Sequence, residues 1–344
     1  MEKSKQTDGL RIALIIFCVV MALIFVVLAV VAIYVTCLYN KMEYVGKDTT
    51  ISPEDAASIA EEEYEPTLPG EVLPDQDDVV QNDNIDHIGQ GDHILNIMLV
   101  GQDAREGERV QRSDTMILVT FNIRTKTITL TSLMRDQYVN IPGYGNTKLN
   151  HAYQYGGMSL MNETLYNHFG IEVDGNFEVD FTGFERIIDK LGGVKIDLTK
   201  KEVDYLKEKG FKNVTVGTNI LSGEPALWYA RLRSIDDDYE RARRQRTVLM
   251  SLFEAYKELS YSEMLSLLND ILPLVRTNMT LSQITECAVD LYPMFSGAKV
   301  ETLRIPADGT FKGGFIKVSE GLKLWCQHSI DFEANREILN KIFE

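Results

Sequence analysis

The stretches ILNIMLV (Ile94–Val100), DTMILVTFNI (Asp114–Ile123) and TITLTSL (Thr127–Leu133) are rich in aliphatic and β-branched residues. The first ends at Gly101, and the short turn Arg124–Lys126 joins the other two. Short apolar runs bounded by turn residues are typical of buried strands. These three runs therefore predict a buried strand followed by a β-hairpin, which together begin a sheet.

Further strands alternate with helices along the rest of the chain. The other predicted strands are Phe177–Phe181, Val194–Leu198, Val300–Pro306 and Phe315–Val318. The predicted helices are His151–Phe169 (broken at Gly156-Gly157), Phe184–Leu191, Ser222–Ala230, Tyr239–Leu259, Glu263–Val275, Leu281–Met294 and Phe332–Phe343. Strands that alternate with helices indicate a layered α/β domain with a mixed sheet.

An apolar segment precedes this domain. Residues 12–40 carry no formal charge and are rich in Val, Ile, Leu, Ala and Phe, and a bilayer core is spanned by about 20 apolar residues. We expect a transmembrane helix that acts as a signal-anchor; the alternative is a cleaved signal peptide, whose apolar core is typically only about 7–15 residues long. Lys3, Lys5 and Arg11 precede the segment, which favours a cytoplasmic N-terminus at residues 1–11.

The acidic charge of the chain is concentrated in one interval. The formal net charge is −16, and residues 48–92 contain fourteen acidic groups without any Lys or Arg. Because like charges repel, we predict an extended, extracellular acidic linker at 41–92, with a short helix near 53–63 that Ser52 could cap. Residues 93–344 carry a net charge of −4 and are long enough for one extracytoplasmic domain. No basic excess is available for nucleic acid.

Several classes of site are absent from the sequence. The GxxxxGK[ST], HExxH and GxSxG motifs do not occur, and the five histidines are scattered, which disfavours common nucleotide, zinc and serine-hydrolase sites. Cys287 and Cys326 lie beyond the apolar segment. They could form a disulfide in an oxidising compartment or remain as buried thiols.

Aspartates and arginines are found at the ends of the predicted strands. Asp103 and Arg105 follow the first strand, Asp114 begins the second, and Arg135 follows the third. If the first two strands are antiparallel, Asp103 and Asp114 lie at one edge of the sheet. Neighbouring carboxylates repel one another, and a hard cation such as Mg²⁺ relieves this repulsion. The alternative is that these residues form turns and solvated ion pairs.

A second polar group comprises Arg231, Arg233, Arg241, Arg244 and Gln245. In extended chain the first two point to one side, and on the predicted helix the last three share one face. Arg243 and Arg246 fall elsewhere and are predicted to be solvated. Guanidinium groups bind phosphate oxygens in a bidentate manner, so several arginines with a cation held by Asp would suit a pyrophosphate. A salt-bridged surface helix is the alternative.

The order of these motifs resembles that of the LytR-CpsA-Psr (LCP) family of bacterial envelope proteins. The motifs are Gly-x-Asp-x-Arg at 101–105, Arg-Ser-Asp-Thr at 112–115, Ser-x-x-Arg-Asp at 132–136, Lys-Leu-Asn-His-Ala-Tyr at 148–153, Gly-Gly at 156–157, Leu-Gly-Gly-Val at 191–194, Tyr-Ala-Arg-x-Arg at 229–233 and Arg-x-x-Arg-Gln at 241–245. The resemblance covers about residues 93–260 and the N-terminal apolar segment.

The resemblance implies a three-layer α/β/α domain with a mixed central sheet, preceded by one transmembrane helix, and a hydrophobic pocket for a polyprenyl chain. It implies a membrane-anchored, Mg²⁺-dependent phosphotransferase, with Mn²⁺ as the alternative metal. Such enzymes move a glycopolymer, typically wall teichoic acid or capsule, from undecaprenyl pyrophosphate to peptidoglycan. The alternatives are a polyprenyl pyrophosphate hydrolase, a non-catalytic lipid- or glycan-binding protein, and a transcription regulator.

The resemblance also assigns roles to the two polar groups. Asp103 and Asp114 are implied to be catalytic metal ligands. The residues implied to bind the pyrophosphate are Arg135, Arg231, Arg233, Arg241 and Gln245, the first three of them also catalytic, with Arg105 and Arg244 as weaker candidates. Two positions depart from the family pattern: Met134 replaces a usual proline, and Glu240 replaces a small residue and could pair with Arg241.

Overall fold

The computed structural model describes residues 32–46, 48, 50–76, 91–103, 112–291, 294 and 297–344. Most of the predicted transmembrane segment 12–40 lies outside these residues, and its C-terminal end forms helix α1 at residues 32–39. Within the described part of the chain, every helix is too short or too polar to cross a bilayer. Arg105 also lies outside the described residues.

The described elements alternate between strands and helices. The strands are β1 (Glu43–Tyr44), β2 (Glu65–Pro66), β3 (Ile94–Asp103), β4 (Arg112–Asn122), β5 (Thr127–Leu133), β6 (Tyr138–Ile141), β7 (Gly145–Lys148), β8 (Gly175–Asp180), β9 (Val194–Leu198), β10 (Gly217–Leu221), β11 (Arg276–Thr277), β12 (Lys299–Ile305), β13 (Lys312–Ser319) and β14 (Leu322–His328). The helices after α1 are α2 (Pro53–Glu61), α3 (Leu149–Phe169), α4 (Phe181–Lys190), α5 (Lys200–Glu208), α6 (Gly223–Arg231), α7 (Asp238–Lys257), α8 (Tyr261–Ile271), α9 (Leu281–Leu291) and α10 (Phe332–Phe343).

A seven-stranded sheet in the order β1-β11-β8-β3-β4-β5-β12 forms the centre of the fold. β4 is antiparallel to both β3 and β5, whereas β8 is parallel to β3 and β12 is parallel to β5. The predicted mixed sheet and the predicted hairpin are therefore confirmed. The runs Ile94–Val100 of β3 and Met116–Val119 of β4 are apolar except for Asn96, as expected for strands with helices on both faces of the sheet.

Helices lie on both faces of this sheet and give three α/β/α layers. On one face, Met98 and Leu118 pack with Phe169 of α3 and Leu339 of α10. On the other face, Ile117 packs with residues of α7 and α9. Complete burial of one such side chain stabilises the fold by about 1.5–3 kcal/mol. Alternate residues of the central strands therefore hold both outer layers in place.

Part of the interval predicted as an extended linker packs against the domain. The hydroxyl oxygen of Ser52 caps α2 by accepting the backbone N–H of Asp55 at 3.1 Å, as predicted. Ala56 of α2 is buried, and β2 pairs with β14. The extended conformation is not found here because lysines of the domain neutralise carboxylates of the interval. Lys148 pairs with Glu63 at 2.7 Å, and Lys323 pairs with Glu71 at 3.0 Å.

Candidate functional site

An apolar pocket of about 490 Å³ lies between the central sheet and helices α4, α6 and α7. The sheet contributes Leu99, Ile117 and Phe177, and the helices contribute Phe184 and Leu252 among other apolar side chains. The pocket exists because Leu99 and Ile117 point away from α3, toward a layer whose helices do not close fully over the sheet. An apolar ligand would gain free energy in proportion to the area that it buries here.

A second apolar cavity continues the first along the same face of the sheet. It measures about 430 Å³, and Leu99, Phe177 and Leu249 line both cavities. Cys287, a free thiol, lines the second cavity, while Cys326 is a free thiol in the core. The two cavities together form an elongated apolar space that suits a long, thin ligand.

Four of the predicted site residues line the first pocket: Arg231, Arg233, Arg241 and Gln245. Helix α6 ends at Arg231 because Leu232 adopts an extended conformation, which turns the chain back toward α7. The Arg231 guanidinium carbon lies 4.0 Å from the ring centroid of Phe181, a cation–π contact. Arg241 and Gln245 lie one turn apart on α7, so both face the pocket. The apolar space therefore has a cationic wall at this end.

Arg241 is the most constrained of these cations. It is 5 % exposed, and its Nη1 lies 3.2 Å from Oδ1 of Asp238. Its Nε is buried and has no hydrogen-bond partner among the described residues. A buried donor without an acceptor costs about 1–3 kcal/mol, which an anion in the pocket would recover. Glu240 does not compete for Arg241, because its carboxylate accepts a hydrogen bond from Arg243 at 2.7 Å.

Asp238 lies at the centre of three of the predicted arginines. Besides Arg241, Arg135 Nε and Arg233 Nε each lie 3.7 Å from its carboxylate. Burial raises the pKa of Asp238, and the neighbouring Asp136 raises it further, although Arg135 and Arg233 oppose the shift. Asp238 was not among the predicted site residues; it directly precedes the predicted helix Tyr239–Leu259. Its position three residues before Arg241, and so on the same side of α7, is the signal that could have revealed it.

The backbone places Asp103 and Asp114 at one edge of the sheet, as expected for antiparallel strands. Gly101 pairs with Thr115, and a register shift follows before Gln102 pairs with Ser113. Gly101 and Thr115 line the pocket, so both aspartates are close to it in the chain. Their side chains are outside the described part of the structure, and the described residues contain no group of three potential metal ligands.

The structure does not bring Arg244 to the pocket. Its guanidinium is fully buried and pairs with Asp236, and it donates to the carbonyl oxygen of Leu232 at 3.1 Å. By spacing alone Arg244 could share the pocket side of α7 with Arg241, but its pairing with Asp236 directs its guanidinium away from the pocket. Arg246 is not solvated as predicted, since its Nη1 donates to Ser132 Oγ at 2.6 Å.

Met134 occupies the position where the family pattern has a proline. Its side chain is buried, and its backbone N–H donates to the carbonyl oxygen of Ile305 at 2.9 Å. A proline has no N–H and could not make this hydrogen bond. The departure therefore adds a link between the chain just before Arg135 and the end of β12.

Two curated proteins and a solved structure are similar to this chain. It is 37% identical over 223 residues to the polyisoprenyl-teichoic acid–peptidoglycan teichoic acid transferase TagT of Bacillus subtilis (strain 168), covering 62% of this chain and 68% of that protein. It is 34% identical over 221 residues to the corresponding transferase TagU of Enterococcus faecalis (strain ATCC 700802 / V583), covering 61% of this chain and 70% of that protein.

The solved structure is the LytR-CPS2A-psr family protein YwtF (TagT) with bound octaprenyl pyrophosphate lipid. It is 27% identical, covers 79% of this chain and 98% of its own, and gives a TM-score of 0.54. The sequence model of the LytR_cpsA_psr family matches residues 61–329. With this match over most of its length, the chain belongs to the LytR_cpsA_psr family.

Proposed function

We propose that this protein is a transferase that moves a glycopolymer such as teichoic acid from a polyprenyl pyrophosphate carrier to peptidoglycan. The observation that carries the proposal is the buried Arg241, whose Nε has no partner among the described residues, at the cationic end of an elongated apolar space. The names of TagT and TagU describe this transfer. The solved relative has octaprenyl pyrophosphate bound, a ligand with an apolar chain and a pyrophosphate group. These two groups match the apolar space and the cationic end of the pocket.

The donor would bind with its tail in the two apolar cavities and its pyrophosphate against the arginines. Arg231, Arg233 and Arg241 line the pocket, and Arg135 approaches the same Asp238 carboxylate. Guanidinium groups keep their charge at any working pH. They would neutralise the charge that moves onto the departing lipid phosphate, and such electrostatic stabilisation supplies most of the rate in phosphoryl transfer.

In the proposed reaction, a sugar hydroxyl of the acceptor attacks the phosphorus next to the polymer. A new P–O bond to the acceptor forms, the P–O bond to the lipid phosphate breaks, and the lipid phosphate leaves. The hydroxyl proton must pass to a base. Asp238 is suited to accept it because burial raises its pKa, which makes the carboxylate a stronger base, and because the pocket arginines surround it.

Asp103 and Asp114 are the residues that would hold Mg²⁺, with Mn²⁺ as the alternative. Carboxylate oxygens are the ligands that these hard cations prefer, and the backbone places both aspartates at the strand ends beside pocket residues Gly101 and Thr115. When bound, the cation would supply further positive charge for the pyrophosphate oxygens. Dependence on the metal is part of the proposal.

We further propose that residues 12–40 anchor the protein in the cell membrane, with the domain outside the cytoplasm. The C-terminal end of this segment and the residue that follows it contact the domain: Tyr39 Oη donates to the carbonyl oxygen of Met279 at 3.2 Å, and Lys41 Nζ donates to Asn269 Oδ1 at 2.7 Å. These contacts support a domain held close to the bilayer. A membrane-impermeant thiol reagent applied to intact cells should reach a cysteine introduced at Glu208, and not one introduced at Ser4.

The transfer is tested with the full chain in detergent, a synthetic polyprenyl-pyrophosphate glycan and peptidoglycan. We expect a covalent glycan–peptidoglycan product that is lost on chelation of the metal and restored by Mg²⁺. Arg135→Ala and Asp114→Ala should reduce the product at least tenfold, whereas Arg243→Ala, an exposed arginine of α7, should retain it. Equal transfer by Arg135→Ala, Asp114→Ala and the wild type would refute the assignment. Release of free glycan alone would indicate a hydrolase, and binding without turnover a receptor.

A further inference from the structure

A second pair of arginines lies across α7 from the lipid pocket. Arg246, on α7, donates from Nη1 to Ser132 Oγ of β5 at 2.6 Å. Arg304, on β12, stacks over Tyr239, with its guanidinium carbon 4.0 Å from the ring centroid. Ser132 and Arg304 are direct partners in the parallel pairing of β5 with β12. The two guanidinium groups are therefore brought together at one end of the sheet.

Carboxylates of the described residues balance the positive charge of this pair only in part. Burial lowers the pKa of Arg246, and the charges of Arg304 and Arg243 lower it further, although the carboxylate of Glu240 opposes the shift. Arg304 forms an ion pair with Asp308, but that carboxylate is 91% exposed and therefore well screened by water. Arg246 has no ion pair with any carboxylate in the described part of the chain. Two neighbouring guanidiniums that repel one another would both be stabilised by a bound anion.

The pair is next to the proposed pyrophosphate site but on the other side of the helix. Asp238 contacts the pocket arginines, and the ring of the following residue, Tyr239, stacks against the guanidinium of Arg304. Tyr239 and Arg246 are seven residues apart and share one face of α7, whereas Arg241 points about 140° or more away from that face. Because the lipid tail would fill the pocket side, the rest of the donor has to leave the pyrophosphate site in another direction. On the side of α7 away from the pocket, the Arg304 side chain is partly exposed and its partner Asp308 is almost fully exposed, so this end of the pair faces solvent.

We propose that Arg246 and Arg304, supported by Ser132 and Tyr239, form a second anion-binding site that takes a phosphodiester of the glycopolymer carried by the donor. The inference rests on the proposed function, since it assumes a donor whose lipid enters the apolar pocket. It adds a selectivity within that function: the site favours polymers with phosphate in their repeating units over neutral ones. The ligand is recognised by charge-assisted hydrogen bonds from two forked guanidiniums, a geometry that suits phosphate oxygens.

The test compares two synthetic donors with the same lipid and the same first sugars, one with a phosphodiester-linked unit and one without. With the full chain in detergent, the phosphodiester donor should bind roughly tenfold more tightly at low salt, and added salt should reduce this preference. In Arg246→Gln/Arg304→Gln the preference should disappear, while binding and transfer of the neutral donor stay unchanged. Arg243→Gln removes the same charge from an exposed position of α7 and should keep the preference.

Two results would overturn the proposal: a preference that survives in the double variant, or a wild type that binds both donors equally. If the double variant does not fold, the single variants Arg246→Lys and Arg304→Lys replace it, because they keep the charge but lose the forked donors and should weaken the preference. A lipid-free phosphodiester glycan should compete with the phosphodiester donor in the wild type but not in the double variant. This result would show that the second site binds the phosphate of the polymer and not the pyrophosphate of the lipid. The failure of the proposed transfer reaction would be seen separately, as absence of product with either donor.

Discussion

The Nζ of Lys148, the last residue of β7, lies 2.7 Å from Oε2 of Glu63, just after α2. The same ammonium lies 3.1 Å from Oδ1 of Asp136, and Oδ2 of Asp136 accepts a hydrogen bond from Arg135 Nε at 3.2 Å. Glu63, which lies in the interval predicted as linker, is thus connected through Lys148 and Asp136 to Arg135 of the candidate site.

We expect Glu63→Gln to destabilise the fold by about 2 kcal/mol. Lys148 is largely buried, and removal of one partner leaves its charge with only Asp136 as an ion-pair partner in the described residues, which costs more than the loss of an exposed pair. Urea unfolding of the full chain in detergent measures the change. Glu65→Gln, on the exposed strand β2, should change the free energy of unfolding by less than about 0.5 kcal/mol, and an equal effect of both variants would contradict this role.

The same ion pair should make stability depend on pH in the acid range. Burial raises the pKa of Glu63, but the hydrogen bond from His151 and the charges of Lys148 and His151 outweigh it and hold the pKa well below its usual range. A folded-state pKa below the unfolded value of about 4.3 gives stabilisation that is complete above that value and is lost as pH falls. Between about pH 5 and pH 3, the free energy of unfolding should fall less steeply in Glu63→Gln than in the wild type.

The sequence predicted most of the central sheet because its strands are long and apolar. β5 was predicted at Thr127–Leu133, which are its observed bounds. Outside the central sheet, β9 (Val194–Leu198) and α10 (Phe332–Phe343) also have the predicted bounds. Helix α5 was missed, although Thr199 and Glu202 form a capping box at its start that the pattern Thr-x-x-Glu could have indicated. Strands β10 and β14 were missed because polar residues break up their short apolar runs, and they are specified by their pairing partners.

Within the site, the sequence could supply the residue types and their helical spacing, but not the partners. Arg241 and Gln245 do face the pocket, whereas the direction of Arg244 is decided by Asp236, which lies in the loop before α7. The convergence of the arginines on Asp238 likewise depends on how β5, α6 and α7 meet. Such contacts are determined by tertiary packing and leave no local pattern in the sequence.

Arg244→Met should destabilise the protein by about 3 kcal/mol. The Arg244 guanidinium is fully buried, and its removal leaves Asp236, and Glu202 at 3.7 Å, without their buried cation. Arg243→Gln is the matched control, because Arg243 is the neighbouring residue but exposed and paired with Glu240. Thermal unfolding of both variants measures the difference. A melting temperature of Arg244→Met equal to that of Arg243→Gln would show that the buried pair contributes nothing.

Arg241→Gln should separate binding from stability. The substitution removes a buried charge whose Nε has no hydrogen-bond partner in the described structure, and Asp238 keeps Arg135 and Arg233 as ion-pair partners, so the melting temperature should stay the same or rise. Affinity for a polyprenyl pyrophosphate should fall by roughly 10- to 100-fold, because charge-assisted hydrogen bonds contribute about 1.5–3 kcal/mol. Calorimetry with the lipid pyrophosphate, beside a thermal melt, tests both parts. A variant that melts several degrees lower but binds normally would make Arg241 a structural residue.

Leu249 lies at the junction of the two apolar cavities, where it lines both. We expect Leu249→Trp to close this junction, since the larger side chain fills space that a lipid tail would occupy. Donors on an undecaprenyl carrier should then lose transfer at least tenfold, whereas donors on a short geranyl carrier, which need only the first cavity, should react as with the wild type. Leu252→Trp narrows the first cavity alone and should impair both donors. Equal losses for both carriers in Leu249→Trp would show that the second cavity does not hold the lipid tail.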